Sequence, residues 1–222
     1  MPFRRFALLS ALLAASPAAA EDDFQPWLAA TATIPVAERV VVWLEGQART
    51  SDDASRLNQI LLRPALGYKA TSTTTLFAGY AFVPTNPPGP ASSKEHRIWQ
   101  QASFRIAGDG QGITLSGRSR LEQRFREEDG QVGHRYRQLV RLTAPIDGKG
   151  TQAVVWSEAF LGLNDTRWGQ PGGLDRWRNF LGVSLPVAST LRVEPGYMNE
   201  VIEQRGEDRM NHIASLTLNL SL

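Results

Sequence analysis

The chain has 222 residues, with 24 lysines and arginines against 22 aspartates and glutamates, and no cysteine. Without cysteine it cannot be a disulfide-stabilised scaffold, use a thiol nucleophile or bind a metal through thiolates. The charges nearly cancel, which argues against a nucleic-acid-binding protein. Lysine occurs at only three positions, so almost all of the basic residues are arginines. The arginine side chain can hold a carboxylate or a phosphate through two hydrogen bonds.

The first 20 residues have the layout of a secretory signal peptide. Arg4 and Arg5 precede a short apolar run, and the small residues Ala18 to Ala20 follow it. The apolar run is shorter than the roughly 20 residues that a helix needs to span a bilayer. We therefore predict that residues 1–20 are a cleaved signal peptide and that residues 21–222 form one domain.

Alternation of apolar and polar residues with a period of two dominates the rest of the chain, and helical spacing is hard to find. Segments rich in glycine, proline, aspartate and serine separate the alternating runs. The pattern predicts eleven β-strand segments, over residues 24–34, 39–49, 57–69, 74–83, 95–107, 112–126, 132–144, 151–163, 174–186, 190–201 and 208–222.

These runs are about twice as long as the strands of typical soluble proteins, which have about 5–6 residues. They match tilted membrane-spanning strands of about 9–11 residues. Between residues 112 and 126, one face is mainly apolar and the other mainly charged. A soluble β-sandwich would cover the apolar face with a second sheet, whereas a transmembrane barrel would turn it to lipid. Strand length and the charge pattern favour an all-β fold, an antiparallel transmembrane β-barrel.

The chain ends in an alternating run, residues 208–222. A barrel must close because an unpaired edge in hydrocarbon leaves backbone groups without partners, so we expect the last strand to pair with the first. Bacterial single-chain barrels have even strand numbers, so we expect 10 or 12 strands, with residues 24–34 either wrongly assigned as a strand or half of an unrecognised hairpin. The short breaks expected at the periplasmic end are near Ser72, Gly108, Pro145 and Pro186, with the longer loops opposite.

Aromatic residues occur near the strand ends on the apolar face, as in the interfacial girdles of barrels; they are Tyr80, Phe82, Phe125, Tyr136, Trp177 and Tyr197. The opposite face predicts a charged lumen, in which Arg must pair with carboxylates because an isolated buried charge is costly. We expect Glu122 and Glu158 to be held by arginines. The predicted lumen residues are Glu45, Arg49, Arg97, Arg118, Arg120, Glu122, Arg124, Arg126, Arg135, Arg137, Arg141, Glu158, Arg176, Arg178, Arg192 and Glu194.

Two interpretations of this charge pattern remain open. It is a structural ion-pair network that fills the lumen, or it is an anion-preferring path or a site for an acidic headgroup.

No sequence motif indicates a reaction. The G-x-S-x-G, HExxH and Walker patterns are absent. Of the three histidines, His96 and His134 begin strands and His212 would face lipid; His134 with Glu128 or Asp129 is the one catalytic dyad worth considering. We therefore predict no catalytic residue, no metal site and no cofactor.

Several motifs occur in a fixed order along the chain: LGYKAT at 66–71, LFAGYAF at 76–82, EHRIWQQ at 95–101, SRLEQRF at 119–125, RYRQLVRL at 135–142, VVWSEAFLGLN at 154–164, RWRNFLGVSLP at 176–186 and EPGYMNE at 194–200. The set resembles an uncharacterised bacterial family, domain of unknown function 2490. The resemblance implies an outer-membrane barrel in a Gram-negative bacterium and implies no reaction. Exported barrels commonly end in Phe, whereas this chain ends in Leu222.

The function expected from the sequence is that of an integral outer-membrane barrel, either structural or a narrow, porin-like pore with a lumen lined by Arg and Glu. The alternatives are an outer-membrane enzyme acting on lipid or peptide at the rim, and a soluble periplasmic β-sandwich that binds a ligand. The expected partners are outer-membrane lipid and, through the C-terminal strand, the barrel assembly machinery. No nucleic-acid partner is expected, and the oligomeric state is left open.

Overall fold

The structure is a computed structural model that describes residues 22–86, 92–203 and 208–222. The predicted signal peptide lies outside the described residues. The described part is built from strands: β1 Asp22–Pro35, β2 Val40–Ser51, β3 Arg56–Lys69, β4 Thr74–Thr85, β5 Ser93–Ala107, β6 Thr114–Arg126, β7 Asp129–Pro145, β8 Gln152–Gly162, β9 Gly173–Ala188, β10 Leu191–Ile202 and β11 Arg209–Ser221. Each predicted strand segment is a strand, and bounds differ by a few residues.

The strands form one closed barrel in which chain neighbours pair in antiparallel fashion. The last strand pairs with the first, as expected, but in parallel; Thr31 of β1 lies opposite Asn219 of β11. The prediction of 10 or 12 strands is wrong, since the described residues form eleven. With an odd number, the first and last strands run in the same direction, and only parallel pairing can then close the sheet. The segment at residues 24–34 was therefore a genuine strand, and the error was the expectation of an even count.

The two ends of the barrel differ. The turns after β1, β3, β5, β7 and β9 lie at the end where the chain reaches Leu222, which we call the turn end. They include the four short breaks predicted to share one end. The connections after β4, β8 and β10 lie at the other end, the loop end, and the longest fully described one spans residues 163–172. No helix among the described residues is long and apolar enough to cross a membrane.

Every strand turns a large apolar side chain outward. The exposed fraction reaches 57% for Leu28 and 62% for Leu181. One such residue from each strand, from β1 to β11, is Leu28, Leu44, Leu62, Leu76, Ile98, Leu121, Val140, Val155, Leu181, Tyr197 and Leu218. The apolar face predicted from the alternation is thus the outside of the barrel.

The interior holds two apolar clusters in addition to the predicted charges, and no sequence prediction included them. One cluster contains Trp27, Val154, Phe180, Met198 and Ile213. The other contains Leu61, Ala65, Ala81, Val83 and Trp99. A barrel of this size is filled by side chains, and the inward apolar residues remove one another from water inside it.

Candidate functional site: an arginine-lined lumen

The inner wall of the barrel brings together the charged residues of strands far apart in sequence. All the predicted lumen residues lie on the strand positions that alternate with the outward apolar ones. Most of them take part in arginine–carboxylate pairs: Glu45, Arg97, Arg118, Arg120, Glu122, Arg124, Arg135, Arg137, Arg141, Glu158, Arg176, Arg178 and Glu194. Three others hydrogen-bond to neutral groups: Arg49, Arg126 and Arg192.

Glu122 on β6 is the centre of the network. Its side chain is 1% exposed; Arg135 Nη2 donates to its Oε2 at 2.6 Å and Arg137 Nη1 to its Oε1 at 2.9 Å. Arg137 also reaches Glu158 on β8, whose Oε1 accepts from Arg118 at 2.8 Å. The two carboxylates expected to be held by arginines each accept hydrogen bonds from two of them, and Arg137 links the two carboxylates.

The charged residues of the lumen that were missed at the sequence level include Arg63, Glu95, Asp175 and Glu200. Glu95 is held by Arg97 and by Arg124, each with a nitrogen 2.6 Å from its Oε1. Glu200 is paired with Arg178. A strict period of two would have found Arg63 between the buried Leu61 and Ala65, and Glu200 six residues after Glu194.

Asp175 could not have been found by periodicity. Between the pairs Phe160–Arg176 and Leu161–Leu174, β9 has one residue more than β8, so Asp175 is the extra residue of a β-bulge. The bulge turns Asp175 inward next to Arg176, and Asp175 Oδ2 lies 3.4 Å from Arg135 Nη1. A local break in the alternation thus adds a carboxylate to the network.

Arg49 has a different environment from the other lumen arginines. Its Nε donates to Gln47 Oε1 at 3.0 Å and its Nη1 to Gln59 Oε1 at 3.0 Å. Its guanidinium lies 4.0 Å from the ring centroid of Trp27, and Arg178 lies 5.0 Å from the same centroid. Within the described residues, no carboxylate forms an ion pair with Arg49.

Two cavities of the lumen share part of their lining. The larger, of about 610 Å³, extends to the turn end, where Thr73 and Ser221 line it. We call it the vestibule. The smaller, of about 180 Å³, lies toward the loop end near Thr85. Nine arginines line this inner cavity, against one carboxylate, Glu95, in the described chain.

Four arginines line both cavities and therefore lie between them: Arg49, Arg63, Arg137 and Arg178. We call them the arginine ring. They come from β2, β3, β7 and β9, so they face one another across the lumen. The vestibule side also has three tryptophans, Trp27, Trp43 and Trp156, so a cationic floor meets partly aromatic walls.

The catalytic dyad considered from the sequence, His134 with Glu128 or Asp129, does not form. His134 is exposed and makes no hydrogen bond to Glu128 or Asp129 in the described part of the chain; Asp129 lies instead next to Arg167. The histidine that does approach a carboxylate is His96, with its Nε2 3.1 Å from Glu127 Oε1. This hydrogen bond lowers the pKa of the Glu127 carboxyl below its ordinary value.

His96 is on the outer surface, where its Nδ1 contacts the hydroxyl of Tyr80. His212 likewise lies 2.6 Å from the hydroxyl of Tyr197. These tyrosines are two of the aromatic residues predicted near strand ends, but both lie near the middle of their strands, β4 and β10. Within the described residues, no cluster of His, Asp and Glu could hold a metal ion.

The loop between β8 and β9 folds back onto the loop end of the lumen. Trp168 lies 4.9 Å from the Arg124 guanidinium, and its Nε1 donates to the carbonyl of Gln131. The buried Gln170 accepts from Arg124 at 3.1 Å and donates to the carbonyl of His134 at 2.9 Å. The loop is therefore fixed by contacts with lumen arginines.

The family model described as protein of unknown function (DUF2490) matches residues 24–211. The chain belongs to this family. An uncharacterized protein of Methylorubrum extorquens is 36% identical over 200 residues, which are 89% of this chain and 87% of that protein. No solved structure matches the chain. The family match runs from β1 into β11, so it includes every charged lumen residue described above.

Proposed function

We propose that this protein is an integral outer-membrane β-barrel whose lumen is closed by its own side chains. The carrying observation is the apolar side chain that each strand turns outward around the closed wall. In water, an apolar surface around the whole molecule would promote aggregation. In a bilayer, the same surface contacts the lipid acyl chains.

The outward polar side chains support the same proposal because they satisfy one another. Gln100 and Gln123 exchange two hydrogen bonds of 3.2 Å between β5 and β6. Ser157 donates to Asn179 at 2.7 Å between β8 and β9. Polar groups that face hydrocarbon need such partners, whereas in water they would have solvent.

Membrane insertion is tested by fractionation. After alkaline carbonate washing, we expect the protein in the membrane pellet, and we expect unheated and boiled samples to migrate differently in denaturing gels. Recovery in the soluble fraction, with one mobility in both samples, would overturn the proposal and favour a soluble β protein.

Closure of the lumen is supported by its filled middle. Trp99, Arg120, Glu122, Glu158 and Phe160 point inward and are each at most 2% exposed. We expect planar-bilayer recordings of the purified protein to show no channel events above background. Regular anion-selective conductance would instead support the narrow-pore alternative, with the arginine ring as its constriction.

A further inference from the structure

The arginine ring has more positive charge than its partners neutralise, because three of its four carboxylate partners are shared with further arginines: Glu122 with Arg135, Glu158 with Arg118 and Glu200 with Arg176. Arg63 pairs with Glu45, Arg137 with Glu122 and Glu158, and Arg178 with Glu200. Arg49 has only neutral hydrogen-bond partners within the described residues. Glu200 attracts the Arg49 guanidinium, but this carboxylate is already paired with Arg176 and Arg178, and Arg63 and Arg178 repel Arg49. Because an incompletely compensated charge inside a protein is costly, the position of Arg49 favours an added anion.

Unused donors point to the same place. Arg63 is 5% exposed, and its Nε has no hydrogen-bond partner in the described part of the chain, although the side chain lines both cavities. Buried donors are normally paired, so an unpaired one beside a cavity marks a position for an acceptor. Arg49 and Arg178 flank Trp27 and also line a third cavity, of about 140 Å³.

The vestibule indicates what kind of anion fits. Its volume of about 610 Å³ lies in the range of small-molecule sites. Trp43, Trp156 and Met198 supply apolar wall, whereas Ser215 and Thr217 supply hydroxyl groups. Three carboxylates of the described residues also line it, and each is paired with an arginine: Glu45, Glu158 and Glu194. A bare inorganic ion would contact the arginine ring alone, whereas an anion with an apolar body would also pack against the tryptophans of the vestibule.

We propose that the arginine ring binds the oxyanion of an amphiphilic organic anion, a phosphate monoester or carboxylate whose apolar body lies in the vestibule against the tryptophans. Arg49 and Arg63 provide guanidinium donors to the oxyanion, and Arg178 adds charge beside Trp27. This inference rests on the proposed function, in which the lumen is closed. An anion that enters the vestibule would then be held at the arginine ring and would not pass through the barrel.

The test is calorimetric titration of the full-length protein in detergent micelles with phenyl phosphate, inorganic phosphate and phenol. We expect phenyl phosphate to bind, inorganic phosphate to bind at least tenfold more weakly, and phenol not to bind. Equal affinity for the two phosphates would overturn the role of the vestibule. No binding of phenyl phosphate would overturn the whole inference.

Variants identify the site. Arg49→Gln removes charge without leaving a carboxylate unpaired, and we expect it to weaken phenyl phosphate binding at least tenfold because a charge-assisted bidentate contact is lost. Arg49→Lys keeps the charge but loses the planar fork, so a smaller loss is expected, and this variant decides the question should Arg49→Gln not fold. Unchanged affinity in either variant contradicts the assignment.

The matched control is Arg192→Gln. Arg192 is also an inward arginine with neutral partners, Ser184 and the carbonyl of Gly150, but it lies at the turn end away from the ring. We expect Arg192→Gln to bind phenyl phosphate as tightly as the unaltered protein does. If Arg192→Gln lost as much affinity as Arg49→Gln, the basic lumen would attract the anion without a specific site. Heat-modifiable mobility reports the barrel separately, so failed binding by a folded barrel leaves the membrane proposal standing.

Discussion

At the scale of single residues, the interior depends on how each charge is compensated. Glu122 is fully buried and accepts hydrogen bonds from Arg135 and Arg137, with Arg120 Nη1 3.7 Å away. Burying these ions is expensive, and their mutual attraction repays that cost only while every partner is present. The centre of the network should therefore tolerate the loss of one member poorly.

The substitution Glu122→Gln keeps the shape of the side chain but removes its charge. We expect the free energy of unfolding to fall by about 3–5 kcal/mol, because the arginines are left without their common counter-charge. Urea denaturation in detergent, followed by tryptophan fluorescence, measures it. Glu38→Gln, in the exposed turn after β1, is the control and should change stability by at most about 0.5 kcal/mol. Equal effects of the two substitutions would mean that the network contributes little.

Gly79 shows a second residue-scale constraint, because Trp99 lies flat over it. A Cβ added there would be 2.4 Å from the Trp99 ring and 2.7 Å from the carbonyl oxygen of Pro64. We expect Gly79→Ala to destabilise the barrel by about 1–3 kcal/mol through overpacking. Gly46 on the outer face has its nearest neighbour at 3.9 Å, so Gly46→Ala should be tolerated. Thermal unfolding of the two variants gives the comparison.

At the scale of elements, the loop between β8 and β9 is held by few side chains. Gly133 leaves room for it, since a Cβ there would be 2.6 Å from both Gln170 and Trp168. Gln170 links the loop to β6 and β7 through Arg124 and His134. Local contacts of this kind let a segment open without unfolding the barrel.

The substitution Gln170→Ala should loosen this loop alone. We expect faster amide hydrogen exchange over residues 163–172 and a nearly unchanged global melting temperature, because the strand ladder is not touched. Exchange mass spectrometry measures it. Lys149→Ala, in the turn after β7 at the opposite end, should leave this exchange unaltered. Protection that persists in Gln170→Ala would show that Trp168 holds the loop without it.

The parallel contact of β1 and β11 is the element-scale feature that makes an odd strand number possible. Thr31 lies opposite Asn219, and the two side chains share a hydrogen bond of 2.9 Å. The chain has no cysteine, so an engineered pair is the only thiol pair present. We expect a Thr31→Cys, Asn219→Cys variant to form a disulfide on mild oxidation.

The control for this cross-link combines Gln25→Cys with Asn219→Cys. Both positions face the lumen, but they lie near opposite ends of the barrel and would meet only with antiparallel closure. We expect no disulfide in this control. Cross-linking in the control and not in the Thr31 pair would contradict eleven strands.

At the scale of the whole molecule, the outer surface distinguishes a barrel in lipid from one in water. Leu181 lies near the middle of β9 and Val187 near its turn end, and both are about 60% exposed. In lipid, Leu181→Arg should cost about 2–4 kcal/mol, and Val187→Arg at most about 1 kcal/mol. Unfolding in lipid vesicles compares the variants. Equal, small effects would contradict the proposed membrane environment.

Much of this architecture could be predicted because side chains along a strand alternate between the two faces with a period of two residues. Glu122, Arg124 and Arg126 alternate with outward residues along one strand, and that alternation alone assigns them to one face. The pairing of Arg141 with Glu194 could not be predicted in the same way, because β7 and β10 meet only through the curvature of the barrel. Asp175 escaped because a bulge breaks the alternation.

The sequence by itself determined that this protein is built from long two-faced strands and which side chains share a face, since strand periodicity is local. Only the tertiary structure decided that the strand number is odd and that the first and last strands pair in parallel. It also decided that arginines of β2, β3, β7 and β9 meet in one ring. Closure of the barrel places residues from distant parts of the chain at the same height in the lumen. No local sequence pattern determines which residues share that height.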